Sequence, residues 1–229
     1  MSQVKKYKAE VISVLNPIEN IYTVEFRSLF GRFKYLPGQF LHLALEEYDP
    51  SFGWPESRCF SMQSSPSMET ISITYSVKGR FTSLMSSKLM IGSIVDLKLP
   101  FGELFQQDHS RDNVVFIAGG TGITPFLSAF TDPSFLKYNF PRLYIGFRMK
   151  DFNIYEKYFE EIRIVNPTII IKVQYQDVEG ILDIESIFKE SKLSDTYFIS
   201  GPQIMISTFR QYLLQQGILK NNIFSDDWA

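Results

Sequence analysis

Cysteine is almost absent from this 229-residue chain, and its scarcity excludes several chemistries. The single Cys59 has no partner for an intrachain disulfide. A cysteine-ligated iron–sulfur cluster needs several thiolates and is excluded as well. Histidine is nearly as scarce: His42 falls in a strand pattern and His109 in a polar linker, which gives no metal-site spacing and no catalytic grouping. There is no block of lysine and arginine and the net charge is -2, so nucleic acid is not an expected partner. No apolar run approaches the ~18 residues of a membrane span. Residues 1–6 lead straight into strand-like alternation without a signal-peptide stretch, and a cytoplasmic, reducing setting is expected. What the chain has in quantity is aromatics, 21 Phe and 12 Tyr, which suit flat-ring pockets and a packed core equally. The length allows one large domain or two small ones.

The N-terminal part carries a period of two. Tyr22, Val24 and Phe26 alternate with Thr23, Glu25 and Arg27. Ile71, Ile73, Tyr75 and Val77 alternate with Ser72, Thr74 and Ser76, and Val95, Leu97 and Leu99 with Asp96 and Lys98. Such alternation means one buried and one wet face, as in antiparallel sheets. Further strands are expected at 7–15, 39–45 and 58–63, with Pro and Gly between them and one helix over 81–91. Six strands and a helix predict a small antiparallel β-barrel, which leaves no sheet edge to protect. The polar stretch 106–112 makes a boundary, so the expected domains are 1–107 and 108–229. Beyond it, the apolar runs 114–118, 143–147, 168–173 and 197–199 lack alternation and predict parallel strands buried on both faces. Met205, Phe209 and Leu213 fall on one helical face behind Pro202. Strand–helix alternation predicts a doubly wound parallel α/β domain. The run from Tyr155 to Glu161 is expected as a solvated helix face.

Three segments carry possible chemistry. Residues 114–125 place a buried strand ahead of Gly119, Gly120, Thr121, Gly122 and Ile123, with Thr124 as an expected helix cap and Pro125 in the first turn. Glycines there let a backbone approach a phosphate, or simply make a tight strand-to-helix turn. The spacing matches neither G-x-G-x-x-G nor the P-loop. Arg58-Cys59-Phe60-Ser61 could offer a guanidinium to a phosphate, a ring to stack and a hydroxyl to a ring nitrogen, or could be a surface Arg beside a core Phe. Gly79-Arg80-Phe81-Thr82 could turn backbone N–H groups and the Thr82 hydroxyl towards an anion, or could be a capped helix start.

In their order along the chain, these segments resemble the ferredoxin–NADP reductase superfamily over almost the whole length. Pro37-Gly38-Gln39-Phe40 resembles the P-G-Q-F/Y strand start, Arg58 to Ser61 the flavin motif R-x-Y/F-S, and Gly79 to Thr82 the G-x-x-S/T loop for the FAD pyrophosphate. Pro100-Phe101-Gly102 resembles the end of the barrel, and Gly119 to Pro125 the G-G-T-G-I-T/A-P loop for the pyrophosphate of the nicotinamide dinucleotide. Gly146-Phe147-Arg148, Ser200-Gly201-Pro202 with Met205, and Phe224-Ser225-Asp226-Asp227-Trp228 resemble later motifs of the group.

The resemblance implies bound FAD and NAD(P)H. Arg58 would hold the flavin pyrophosphate, Phe60 would lie along the isoalloxazine, and Ser61 would hydrogen-bond flavin N5, the hydride acceptor. Thr74 and Tyr75 would line the ring or ribityl chain. Gly119, Gly120 and Gly122 with Thr121 would cradle the NAD(P) phosphates, and Ser200 and Gly201 would sit near the nicotinamide. Trp228, the last aromatic of the terminal motif, is implied as a cofactor-binding residue. Two departures stand out. Serine replaces the frequent cysteine at 200, which predicts slower hydride transfer, and Phe60 replaces the commoner tyrosine, which removes a hydroxyl hydrogen bond. The implied function is electron transfer from NAD(P)H through FAD to a separate protein such as a ferredoxin, a flavodoxin or an oxygenase component. The alternatives are an NAD(P)H:flavin reductase acting on free flavin, and a regulatory subunit on the same body. NADH is expected over NADPH: Asp177, after the third strand of the second domain, would repel a 2′-phosphate, while Arg148 could attract it.

Overall fold

The computed structural model describes residues 3–226. Its N-terminal sheet contains β1 (Lys5–Ile18), β2 (Ile21–Ser28), β3 (Phe40–Ala44), β4 (Ser57–Ser61), β5 (Thr70–Ser76) and β6 (Ile94–Phe101), all antiparallel. Helix α1 (Arg80–Lys88) lies between β5 and β6. The strand order β4-β3-β6-β1-β2-β5 curls the sheet until its outer strands touch, and the Gln63 amide donates to the Ser72 carbonyl at 2.8 Å across the seam. The period of two reads out as burial. Val24, Phe26, Ile71, Ile73, Leu97 and Leu99 are fully enclosed in the barrel core, which Phe81 and Met85 of α1 close at one end. Thr74 breaks the pattern. It occupies an outward position yet is buried, because the second half of the chain covers it.

That half is a five-stranded parallel sheet in the order β11-β10-β7-β8-β9. Along the chain run β7 (Val115–Gly119), α2 (Thr124–Phe130), β8 (Arg142–Phe147), α3 (Glu156–Val165), β9 (Ile170–Tyr175) and the single turn α4 (Gln176–Glu179). They are followed by α5 (Ile184–Lys189), β10 (Tyr197–Ser200), α6 (Gln203–Gln215) and β11 (Ile223–Ser225). Two apolar layers sandwich the sheet: Phe116, Phe126, Phe130 and Phe198 on one face, Val115, Ile117, Ile206 and Phe209 on the other. The doubly wound order reverses between β7 and β10, so the helices that follow them, α2 and α6, cover opposite faces of the sheet while the two connecting loops lie side by side at its C-terminal edge.

Several expectations need correction. The strand expected at 168–173 is not buried on both faces: β9 is the sheet edge, with Ile170 and Lys172 exposed. Thr124 does not cap α2. It is the first helical residue, buried, with its hydroxyl donating to the Thr121 carbonyl at 3.0 Å. The run 155–161 is not a wholly solvated face, because Tyr155 and Phe159 are buried against α2 and the sheet while Glu156, Lys157, Glu160 and Glu161 face water. His109 is no free linker residue. Its ring packs at 5.0 Å on Phe198 and at 5.8 Å on Phe224, and burial lowers its pKa. Strand β11, three residues long, has no counterpart among the expected elements.

The two sheets meet through specific hydrogen bonds. The Gly38 N–H donates to Ser128 Oγ at 2.8 Å, Ser65 Oγ donates to Asp132 Oδ2 at 2.9 Å, and Gln63 Nε2 donates to Tyr158 Oη at 2.8 Å. Gln63 is 1% exposed and its Oε1 also accepts from Thr74 Oγ1, so both ends of this buried amide are satisfied.

Candidate active site

The sharpest geometry lies where the loop after β7 meets the loop after β10. A Cβ on Gly122 would stand 2.5 Å from Gly201 Cα and 2.6 Å from the Ser200 carbonyl oxygen. One on Gly119 would stand 2.7 Å from Pro202 Cδ and 3.2 Å from Met205 Sδ. These two glycines are required by protein packed against protein. Gly120 is different: its φ is +54 and a Cβ there would meet nothing within 4 Å. The three glycines therefore divide the work. Two draw the loops together, and the third has a left-handed backbone that faces open space. Thr121 is half-buried beside it.

Ser200 ends β10 and is buried, with its hydroxyl 3.4 Å from Asp226 Oδ2. The Asp226 N–H donates to the Ile199 carbonyl at 3.0 Å, which continues the β10–β11 pairing by one residue and fixes the carboxylate beside the serine. Asp226 stands in the terminal motif but was not singled out as a site residue. Trp228 lies outside the described residues.

On the barrel side, β5 passes against the 3-10 turn Gly120–Ile123. Phe60, half-buried on β4, has its ring 6.0 Å from that of Tyr75 on β5, and Tyr75 stacks on Tyr22 at 5.4 Å. Tyr75 Oη is buried with no hydrogen-bond partner among the described residues, and burial raises the phenol pKa. Ser61 closes β4 opposite Phe40, half-buried. Cys59 turns to the outer face, its Sγ 3.5 Å from His42 Nε2.

Arg58 and the helix start converge. Arg58 Nη2 lies 3.1 Å from Glu56 Oε1, Arg80 Nη2 lies 2.5 Å from Glu56 Oε2, and the Arg58 guanidinium sits 5.0 Å over the Phe81 ring. The Thr82 hydroxyl faces inward rather than towards an anion. It accepts from the N–H groups of Lys78 at 2.9 Å and Gly79 at 3.2 Å. The remaining donors of that turn belong to the first helical residues, whose N–H groups have no intrahelical acceptor. Gly79 is extended, a backbone any residue adopts.

At the rim of the parallel sheet, the Asp177 N–H donates to the Arg148 carbonyl at 3.2 Å, and both side chains are exposed. A cation and an anion thus stand at one corner of the crevice. Gln63, Glu56 and Tyr158 were missed in the sequence, although Gln63 follows Ser61 at strand spacing.

No family model matches the chain. Reductase component 2 of terephthalate 1,2-dioxygenase from Comamonas sp is 30% identical over 133 residues, which is 56% of this chain and 37% of that protein. A flavohemoprotein of Rhizobium meliloti is 26% identical over 212 residues, 82% of this chain and 51% of that protein. The chain thus spans between about a quarter and a half of the length of such curated relatives. A crystal structure of a ferredoxin NADP+ reductase from Neisseria gonorrhoeae, with bound FAD and NADP, superposes with a TM-score of 0.80 at 19% identity, covering 97% of this chain and 98% of that one. The chain has a ferredoxin–NADP+ reductase-like fold. In that fold the crevice between barrel and parallel sheet is where the two glycine loops, β5 and the Ser200–Asp226 pair come together in this chain. No helix among the described residues is long and apolar enough to cross a membrane, and none of their His, Cys, Asp or Glu side chains group into a metal site.

Proposed function

We propose that the chain is an FAD-dependent NAD(P)H oxidoreductase whose barrel, residues 1–107, holds FAD and whose α/β part, residues 108–229, holds the nicotinamide dinucleotide. Electrons then pass to a separate acceptor protein, a ferredoxin, a flavodoxin or an oxygenase component. The observation that carries the reading is the open space in front of Gly120, in a turn held from behind by the packed Gly119 and Gly122 and set against β5.

The residues fit the two cofactors. Arg58 and Arg80 offer two guanidiniums at one point, and the first turn of α1 adds backbone donors, which together suit a pyrophosphate. The half-buried Phe60 offers a ring face, while Tyr75, 3% exposed, packs in the barrel core behind it, where its buried hydroxyl has no hydrogen-bond partner among the described residues. Gly120 and Thr121 would hold the dinucleotide phosphates, with Gly119, Gly122, Thr124 and Pro125 shaping the loop from behind. Bound flavin supplies the chemistry of accepting hydride and releasing electrons singly. Ser61 would donate to flavin N5. Ser200, held by Asp226, would position the nicotinamide, with Gly201, Pro202 and Met205 fixing that loop. The seam made by Gln63 and Tyr158 keeps water from the back of the crevice.

The purified protein should remain yellow through gel filtration and release FAD on acid treatment. Release of FMN would overturn the assignment of Arg58 and Arg80 to a pyrophosphate. A colourless protein that reduces added flavin would make it a flavin reductase instead.

NADH should be the better substrate. Asp177 presents a carboxylate where a 2′-phosphate would otherwise be received, and the ribose hydroxyls of NADH can donate to it. Steady-state kinetics with both nucleotides measures this, and a higher kcat/KM with NADPH would transfer the role to Arg148.

A further inference from the structure

Glu56 forms ion pairs with both Arg58 and Arg80 beside the Gly79 turn, and it is assigned no role by the reading above. Its two carboxylate oxygens are divided between them: Oε1 to Arg58 and Oε2 to Arg80. The arginines come from different elements, β4 and the first residue of α1, so the carboxylate ties the flavin-motif strand to the helix start. All three side chains are substantially exposed, at 43% for Glu56, 53% for Arg58 and 72% for Arg80. The site is therefore open to an incoming anion, and the intramolecular pairs are of the solvent-screened, weak kind.

We propose that Glu56 is an affinity-setting residue for the flavin: an internal anion that occupies Arg58 and Arg80 and must yield to, or be repelled by, the cofactor's pyrophosphate. This rests on the assignment of FAD to the barrel. A pyrophosphate brings two negative charges to a cluster whose two positive charges already share one carboxylate. If the carboxylate moves away, its two ion pairs are lost on binding. If it stays, it repels the phosphates at short range. Both routes weaken binding, and both vanish when the charge is removed. The weakened hold lets flavin exchange, while the Phe60 ring keeps contact with the isoalloxazine end.

The test is an equilibrium titration of the flavin-stripped full chain with FAD and with riboflavin, followed by flavin fluorescence, in the wild type and in Glu56→Gln. Losing up to two exposed ion pairs should tighten FAD about five- to tenfold, with riboflavin, which has no phosphate, unchanged. Glu56→Ala should tighten FAD similarly, which separates charge from side-chain shape, and inorganic pyrophosphate alone, titrated calorimetrically, should bind Glu56→Gln more tightly than the wild type. Equal or weaker FAD binding by Glu56→Gln would show that the carboxylate only positions the arginines, and would overturn the proposal. So would an equal shift for riboflavin. Failure of the wild type and both variants to bind FAD at all would instead overturn the flavin assignment beneath it.

Discussion

Gly122→Ala should lower the melting temperature by roughly 5–10 °C and abolish measurable NAD(P)H binding while the barrel keeps its flavin. The cause is specific. The new methyl would press on Gly201 Cα at 2.5 Å and on the Ser200 carbonyl oxygen at 2.6 Å. Both are backbone atoms, which cannot swing aside as a side-chain tip can. Overpacking typically costs ~1–3 kcal/mol, and a backbone obstacle belongs at the upper end. For a chain of this size each kcal/mol shifts the midpoint by roughly 2–4 °C. The loop relieves the clash only by pulling away from β10, which carries Gly120 and Thr121 with it. Thermal unfolding and nucleotide titration of the flavin-loaded protein measure the two effects together. A variant with wild-type melting and wild-type nucleotide affinity would mean that the loops are not held together as described.

Arg58→Ala should leave the fold intact and cost the protein its flavin. The side chain is half exposed and lies over Phe81, so its removal opens no cavity in the barrel core. On the proposed function it would remove a charge-assisted contact to phosphate, worth ~1.5–3 kcal/mol, or about a ten- to hundredfold loss of affinity. Part of this is offset in the wild type by Glu56, so the lower end is expected. The ratio of flavin absorbance to protein after desalting reads the effect, and circular dichroism confirms the fold. Unchanged flavin occupancy would remove Arg58 from the cofactor site.

Much of the architecture was legible because one-sided burial writes itself into sequence. Val24 and Phe26, or Ile71 and Ile73, alternate with polar residues since one face of each strand is core and the other is not. The same logic failed at Thr74, whose polar side chain suits the outer face of a barrel, because nothing local tells that α3 lies over it. The edge position of β9 was hidden for a related reason: Ile169, Ile170 and Ile171 make an apolar run whether one face or two are covered. Tyr155, Phe159 and Ile162 do form a helical stripe, but the charges interleaved with them drew the eye to the solvent side. The 119–122 spacing announced a sharp turn near a backbone that must come close. Which glycine meets protein and which meets open space depends on the loop after β10, far along the chain. Glu56 had no pattern to reveal it, since it sits in a loop and finds its two arginines only through tertiary structure.

The fit of Gly122 against Gly201 has an evolutionary consequence. Neither position can accept a side chain unless the other loop retreats, and Gly201 adds its own constraint, since its φ of +148 places a Cβ 2.8 Å from Met205 Cε. A side chain at either position therefore requires the opposing loop to move as well. Among homologous sequences, the loops after β7 and β10 should change in concert, although one would face the dinucleotide phosphates and the other the nicotinamide. A lineage that replaces the serine or the glycine after β10 to alter the hydride step would be expected to carry a compensating change in the loop after β7. The specificity and the rate of this site would then drift together rather than independently.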